Sequence, residues 1–338
     1  MSLDKFTPSV LTGVVTDLPP KDTGLLGLAF PRVVTHPTAD ISTDYVDDMP
    51  EIAPVISPIE KGVVLKDQSF TQKTITPAFS RVKKRVDFTK AISRIPGQKL
   101  DDIEDNTTYH MTNGVVYGKK SIVQRQKFMA AQALYEGRIT YSDKDGRSFE
   151  VDFGRHADLN LTLTGTKAWT DKTAPVFEQL EAGATKVADV CGSVSKTLVL
   201  TPFSWNLFRA TDDVTKALES RRGSNSQLET ACGSNKGLEY KGTIGDFDVI
   251  VYSEKGKDSK GNTFPMLDDK AAILLNIEDV MGALHHGALK NGDKVEAMDY
   301  LAKRLPVDDE TEETWVKVDS SYLPIPHRID ATYALTVA

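Results

Sequence analysis

The side chains of this sequence that could do chemistry are few and scattered. His285 and His286 are its adjacent histidine pair. Neighbouring side chains diverge on a helix or a strand, and no Cys or third His stands near them in sequence. The further ligands of a metal site are therefore missing, and the pair is read as surface or core. His36, His110, His156 and His327 are singles. No Gly-x-Ser-x-Gly elbow is present to expose a nucleophilic serine. Gly192-Ser193-Val194-Ser195-Lys196-Thr197 has the ending of a phosphate-binding loop. Yet Ser195 stands where that motif needs glycine, and a strand-forming run follows where it needs a helix, so a helix C-cap and turn is the better reading. Glu181, Asp189, Asp212 and Asp213 are carboxylates of the acid–base kind, but on helix faces such groups are ordinarily solvated. The residues point to no catalytic group, cofactor or metal.

The elements that would position a surface are clearer. Residues 1–48 lack steady periodicity, and Pro19-Pro20, Pro31 and Pro37 interrupt any helix. They are read as disordered or as an arm lying on another surface. Residues 50–95 read as extended, with Val63-Val64-Leu65 and then Ile75, Phe79, Val82, Val86 and Phe88 among charges; Pro77 suits an exposed hairpin at 60–95. Residues 112–137 carry the clearest helix signal. Val115, Ile122 and Met129 recur every seven residues, as do Val116, Val123 and Ala130, and Ala133 and Leu134 continue the stripe. Lys119, Lys120, Gln124, Arg125, Lys127 and Gln132 fall largely outside it, and Gly137 is a stop. Such a helix is roughly 35–40 Å long.

Arg138–Tyr141 and Ser148–Phe153 alternate about an Asp145-Gly146 turn, a hairpin signal, and Leu159, Leu161 and Leu163 mark a third strand. From 173 to 290 the pattern is α/β. A helix at 174–190 has Thr173 as N-cap and Gly192 after its end; Thr197–Leu200 is a buried strand, and a helix opens at Thr201-Pro202. Tyr240–Ile244 pairs with Phe247–Tyr252 about Gly245, and Ala271–Leu275 is a further strand. The tail is extended at Thr314–Val318 and Arg328–Val337, split by Pro324 and Pro326.

Composition is that of a soluble globular chain, 40% hydrophobic and 26% charged over 338 residues. A net charge of −7 argues against a dedicated nucleic-acid binder. No run of about 18 apolar residues offers a membrane span, and the start of the chain does not read as a secretory signal. Cys191 and Cys232 are the two cysteines. They suit a reducing cytosol and are read as small buried or partly exposed residues in preference to a disulfide. Charge is unevenly placed. Residues 33–60 hold Asp40, Asp44, Asp47, Asp48, Glu51 and Glu60 with no Lys or Arg, a charge of −6; residues 61–94 hold nine Lys and Arg against Asp67 and Asp87, a charge of +7. Two readings stand: two solvated surfaces, or complementary patches that guide register between subunits. The same choice applies to Arg221 and Arg222, which suit a helix C-terminus before Gly223 or a contact to a neighbour. Asp44, Asp47, Asp48, Glu51, Arg81, Lys83, Lys84, Arg85, Arg221 and Arg222 are the candidate intersubunit contacts.

Five stretches show a family likeness. Arg221-Arg222-Gly223-Ser224-Asn225-Ser226-Gln227-Leu228-Glu229-Thr230-Ala231 closely resembles a segment of the lambda-type phage major head protein, the major capsid protein E family. Val151–Arg155, Val55–Ile59 followed by Gly62, and Tyr240–Gly242 with Val249–Ser253 resemble others, and Trp205–Arg209 looks like the family's pattern. The matches keep their order over residues 50–255; the first 45 residues and 254–310 resemble the family only weakly.

The resemblance implies an α+β, Hong-Kong-97-type capsid fold. Its parts are an N-terminal arm, an extended β-hairpin loop, a peripheral domain with a long spine helix on a sheet, and an axial α/β domain. The elements read above fall in that order: arm 1–48, extended loop 49–96, peripheral domain 97–172 with spine helix 112–137, axial domain 173–290, and 291–338 returning to the peripheral domain. The implied function is non-enzymatic, with no cofactor. It is that of a major capsid protein of a tailed double-stranded DNA phage, assembling into hexamers and pentamers of an icosahedral head that encloses DNA without reading its sequence. Implied partners are copies of itself, a scaffold protein, a portal and a decoration protein; the implied place is the virion, assembled in the host cytoplasm, with no membrane. The alternatives are a non-viral, encapsulin-like shell subunit and a cytosolic α/β enzyme, which would need a convergent site.

Overall fold

The structure is a computed structural model that describes residues 7–17, 24–46, 55, 70–86, 107–142, 146–222, 237–258, 260–305 and 314–338. Its helices are α1 (Pro8–Asp17), α2 (Leu25–Ala29), α3 (Thr107–Glu136), α4 (Val176–Cys191), α5 (Pro202–Ala210), α6 (Asp212–Arg222) and α7 (Ile277–Val280). The first strands are β1 (Arg32–Thr35), β2 (Ile41–Val46), β3 (Phe70–Ile75), β4 (Ala78–Val86), β5 (Arg138–Ser142), β6 (Ser148–Asp152) and β7 (Asn160–Thr162). Then follow β8 (Thr197–Leu200), β9 (Leu238–Ile244), β10 (Phe247–Tyr252), β11 (Lys255–Lys257), β12 (Thr263–Pro265) and β13 (Ala271–Leu275). The last are β14 (Ala283–His286), β15 (Leu289–Asn291), β16 (Lys294–Glu296), β17 (Leu301–Arg304), β18 (Thr314–Ile325) and β19 (Thr332–Thr336).

Helix α3 begins five residues before the expected 112 and lies along two sheets. Among its buried positions Met111, Val115, Gly118, Ile122, Gln126, Met129 and Ala133 are spaced four, three, four, four, three and four apart. That is one face of a 3.6-residue helix, about 45 Å long at 1.5 Å per residue. Gly118 keeps the stripe flat: a Cβ there would lie 2.7 Å from Val318 Cγ2, so the helix seats directly on β18. Gly137 ends the helix with φ +72° and donates its N–H to Ala133 O at 3.0 Å, the left-handed stop the sequence suggests.

Under the N-terminal part of α3 is a five-stranded sheet, β1-β14-β18-β17, with β4 on the other side of β18. β4 pairs with β18 over nine residues, from Val86↔Thr314 to Ala78↔Tyr322. Under its C-terminal end is a six-stranded sheet ordered β7-β19-β13-β8-β10-β9. Its central strands β8 and β13 are buried at every residue, the near-continuous apolar pattern of strands covered on both faces. Helix α4 packs here through Val176, Leu180, Gly183, Val187 and Cys191, with Gly183 against the Tyr333 ring. Gly192 caps it in the left-handed conformation, as read. Thr201 caps α5 by accepting from Ser204 N, ahead of Pro202. The β5/β6 and β9/β10 hairpins form as expected.

Several readings are corrected. Residues 8–17 and 25–29, read as disordered or as an arm lying on another surface, are helices of this chain's own core: Leu11, Val15, Leu25, Leu26 and Ala29 are buried. Thr12 Oγ1 bonds the main chain of Ala302, and Lys119 Nζ donates to the Val15 carbonyl at the end of α1. Both helices are short and proline-bounded, so they show too little period to read. The boundary at 48/49 also cuts through a ladder, because β2 pairs with β3 from Ile41↔Ile75 to Val46↔Phe70. Within the expected 60–95 hairpin, β3 belongs to that ladder while β4 joins the five-stranded sheet. The unit 173–290 is likewise split, since β14 lies in the five-stranded sheet. The tail does not return to one sheet: β17 and β18 join the five-stranded sheet and β19 the six-stranded one. β18 runs on through Pro324. Thr173 does not cap α4; Pro175 holds that place, and Thr173 bonds Asp171 instead. The strand read at Leu159–Leu163 is β7, which pairs in parallel with β19.

Candidate functional site

The tertiary structure gives the histidine pair a partner that sequence distance hid. β1 runs parallel to β14, which brings His36 Nε2 to 2.8 Å from His285 Nδ1 with the rings stacked. That separation is a hydrogen bond between two imidazoles. Two ligands of one zinc ion, each about 2.0–2.1 Å from it, stand farther apart. His286 points to the opposite face, fully buried beside the Tyr300 ring, 3.5 Å from Ser320 Oγ. Burial pulls both His285 and His286 down to about 4, so both are neutral at physiological pH. Among the described residues, no three His, Cys, Asp or Glu side chains come together as a metal cluster.

Other candidate chemistry is used up by the fold. Glu181 and Asp189 are exposed on α4, and Asp212 and Asp213 begin α6, where carboxylates interact well with the helix dipole. Cys191 is free and buried; burial raises its thiol, which donates to Val187 O. Cys232 lies outside the described residues. A shallow cavity of about 460 Å³ opens at the end of α3, lined by Glu136, Arg138, Asp152, Arg155 and Asn160 among others. Arg155 is committed structurally. Its guanidinium donates to the carbonyls of Leu134 and Tyr135, to Asn160 Oδ1 and to Thr332 Oγ1, closing the C-terminal end of α3. Burial lowers it to about 10.

What remains is surface. β4 is an edge strand among the described strands, and it carries Phe79, Arg81, Lys83, Lys84 and Arg85 exposed. Charges along an edge are a usual guard against unwanted strand pairing. The structure separates these four cations. Arg81 forms a two-point ion pair with the buried Asp319 of its own chain, at 2.8 and 3.1 Å. It is thus part of the sheet as well as a surface cation. Lys84 points to the α3 side, with Nζ 4.5 Å from the Tyr117 ring centre. Lys83 stands opposite Lys317 and Arg85 opposite Trp315, on the face away from α3. Asp44 stands opposite Gln72 in the β2/β3 ladder. Asp47, Asp48 and Glu51 lie outside the described residues. Arg221 and Arg222 form the C-terminal end of α6, where a cation is favoured.

Sequence reasoning missed two residues of the basic face. Lys317 and Lys303 are opposite each other on β18 and β17. Alternation in each strand marks their side, but only the pairing register brings them beside Lys83. It also placed Lys127 outside the buried stripe of α3. Lys127 is instead buried and paired with Glu254, joining the helix to the segment after β10.

The comparisons agree with this geometry. The chain matches the family described as phage major capsid protein E over residues 7–337. It is 28% identical over 276 residues to the major capsid protein of Escherichia phage N15, covering 78% of this chain and 79% of that one. It is 26% identical over 273 residues to the major capsid protein of Escherichia phage lambda, covering 79% of each. A prophage protein of E. coli CFT073 described as a capsid protein superposes with a TM-score of 0.73 at 21% identity, covering 100% of both chains. The fold is the Hong-Kong-97-type capsid fold. The family match decides against both alternatives, the non-viral shell and the cytosolic enzyme. The chain belongs to the phage major capsid protein E family and is a structural, non-enzymatic head protein of a lambda-like tailed phage.

Proposed function

We propose that this subunit builds an icosahedral head from hexamers and pentamers and encloses double-stranded DNA without reading its sequence. Assembly takes place in the host cytoplasm, with a scaffold protein, a portal and a decoration protein as partners. The observation that carries the reading is the β2/β3 ladder. Among the described strands these two pair only with each other, as a two-stranded ladder apart from both larger sheets. An isolated two-stranded hairpin is only marginally stable in water, and it gains support by lying on a neighbour. The five-stranded sheet with the N-terminal part of α3 serves as the peripheral domain, and the six-stranded sheet with α4–α6 as the axial domain. Each subunit is held by several neighbours at once, so modest contacts suffice, because dissociation requires all to release together.

Deletion of residues 48–68, bridged by a short linker, tests the role of the segment between β2 and β3. It leaves β2, β3 and β4 intact. The variant should stay soluble and melt like the unmodified chain, while electron microscopy finds no closed shells. Normal particles from the deletion variant would remove the segment between β2 and β3 from the mechanism.

A further inference from the structure

The strand register builds a charged feature that no single segment shows. Lys83 of β4 and Lys303 of β17 both stand opposite Lys317 of β18, on its two sides. Directly opposed residues share a face, so three lysines stand abreast across three strands. The neighbouring rows on this face bring Arg81 with Asp319 and Leu301, and Arg85 with Trp315. Asp319 is the one carboxylate in these rows, and it is already taken by Arg81 and by Lys317 at 3.1 Å. Lys83 and Lys303 form no ion pair with a described residue. Like charges directly opposite one another destabilise a sheet. Helix α3 covers the other face, at Val316 and Val318; on this one Lys83 and Arg85 are exposed and Lys303 and Lys317 partly so, while Leu301 and Asp319 are buried.

The same chain holds the complement. From residue 33 to residue 60 it has six carboxylates and no Lys or Arg. The β2/β3 ladder has its root at Ile41↔Ile75 and its outer end at Val46↔Phe70. Five residues of strand rise by about 17 Å. β3 enters β4 through Thr76 and Pro77 alone, and the two strands do not pair, so the chain runs on instead of folding back. Asp47 and Asp48 follow directly on Val46. Both lie outside the described residues.

We propose that the row Lys83–Lys317–Lys303 is a docking surface for the acidic segment around Asp44–Glu51 of a second copy of this chain. The inference rests on the shell reading above and gives one of its contacts a chemistry. Each copy supplies one basic face and one acidic segment, so a closed ring satisfies every row. Polyanion docking also relieves the repulsion that each subunit carries alone.

The test is the full-length variant Lys83→Glu with Lys303→Glu, assembled without DNA over a salt series and followed by sedimentation and electron microscopy. Two cross-strand repulsions with Lys317 become attractions, so the isolated subunit should melt at the same temperature or higher. Shell yield should drop at least tenfold. Adding Asp47→Lys and Asp48→Lys in the same chain should restore part of it, and the unmodified chain should assemble faster at low salt. The neutral pair Lys83→Met with Lys303→Met gives the same direction with a smaller loss and serves if the reversal misfolds. Wild-type yield from the charge-reversed chain across the salt series overturns the proposal. So does a defect that the acidic-segment swap leaves unrelieved while binding of a double-stranded DNA fragment is lost, which would assign the face to nucleic acid. Absence of shells from the unmodified chain would instead count against the shell reading itself.

Discussion

Two glycines one turn apart in α3 should respond to the same substitution with opposite sign. Gly114 and Gly118 both face β18. A Cβ on Gly114 would lie 3.9 Å from Val316 Cβ, an ordinary van der Waals contact. A Cβ on Gly118 would lie 2.7 Å from Val318 Cγ2 and 3.2 Å from Val318 Cβ. Comfortable carbon contacts are about 3.5–4.0 Å, so the helix or Val318 must yield by roughly 0.8–1.3 Å. Val318 is 1% exposed, and its branched Cβ leaves few rotamers to escape into. Gly→Ala within a helix stabilises by about 0.8–1.0 kcal/mol. At position 114 that gain stands, and Gly114→Ala should stabilise by about 1 kcal/mol. At 118 it is offset by an overpacking cost of about 1–3 kcal/mol. Gly118→Ala should then come out destabilising by about 1 kcal/mol, roughly 2 kcal/mol below its neighbour. Urea unfolding of the isolated subunit, followed by tyrosine and tryptophan fluorescence, measures both. Val318→Ala removes the obstructing methyl groups, so Gly118→Ala in that background should recover most of its helix gain, a coupling of about 1–2 kcal/mol. Equal stabilisation by Gly114→Ala and Gly118→Ala would refute the close seating of helix on strand.

Three further perturbations follow from buried groups. Met129 is 1% exposed within the stripe of α3, so Met129→Asp buries a carboxylate and should cost several kcal/mol; a soluble variant that builds normal shells would show the face misassigned. Lys127→Met leaves Glu254 partly buried without its cation and should cost about 3 kcal/mol, while Lys127→Met with Glu254→Met should recover most of that loss; a double variant as unstable as the single one argues against the pair. His286 titrates at about 4 in the folded chain against about 6.5 unfolded. The unfolded state therefore binds more protons between those values, and stability should be level above about pH 6.5 and fall towards pH 4. His286 contributes up to about 3 kcal/mol of that fall; it should be reduced in His286→Phe, and an unchanged pH slope in urea titrations would exclude His286 as the source.

Much of the fold was legible because it is local. The stripe Val115, Ile122, Met129 declares α3 by period alone, and the Gly245 and Gly146 turns declare their hairpins. Gly137 and Gly192 mark helix ends because a left-handed residue there favours glycine. The family likeness was carried by an undecamer whose last nine residues lie outside the described structure, so it informed the identity without locating a site. The functional reading also came from what was missing. No residue spacing supported catalysis, and the described structure joins His36 to His285 without making a ligand set.

What the tertiary structure alone decided is pairing. Strand periodicity states which side chains share a face, but not which strand lies beside it. β4 and β18 are separated by more than two hundred residues, and their register is set where Val82 and Val318 meet under α3 while Arg81 reaches Asp319. A one-residue slip would turn every one of these side chains over. The sequence by itself therefore showed basic residues around 81–85 and an acidic run before them. Only the register placed Lys83, Lys317 and Lys303 in one row. It also bound Arg81 within its own chain and split the expected hairpin between two sheets. Burial decided the rest: Lys127 read as outside the buried stripe and Arg155 showed no structural role in the sequence, yet each is buried and satisfied by atoms distant in sequence. Non-local contacts of that kind leave no period in the chain.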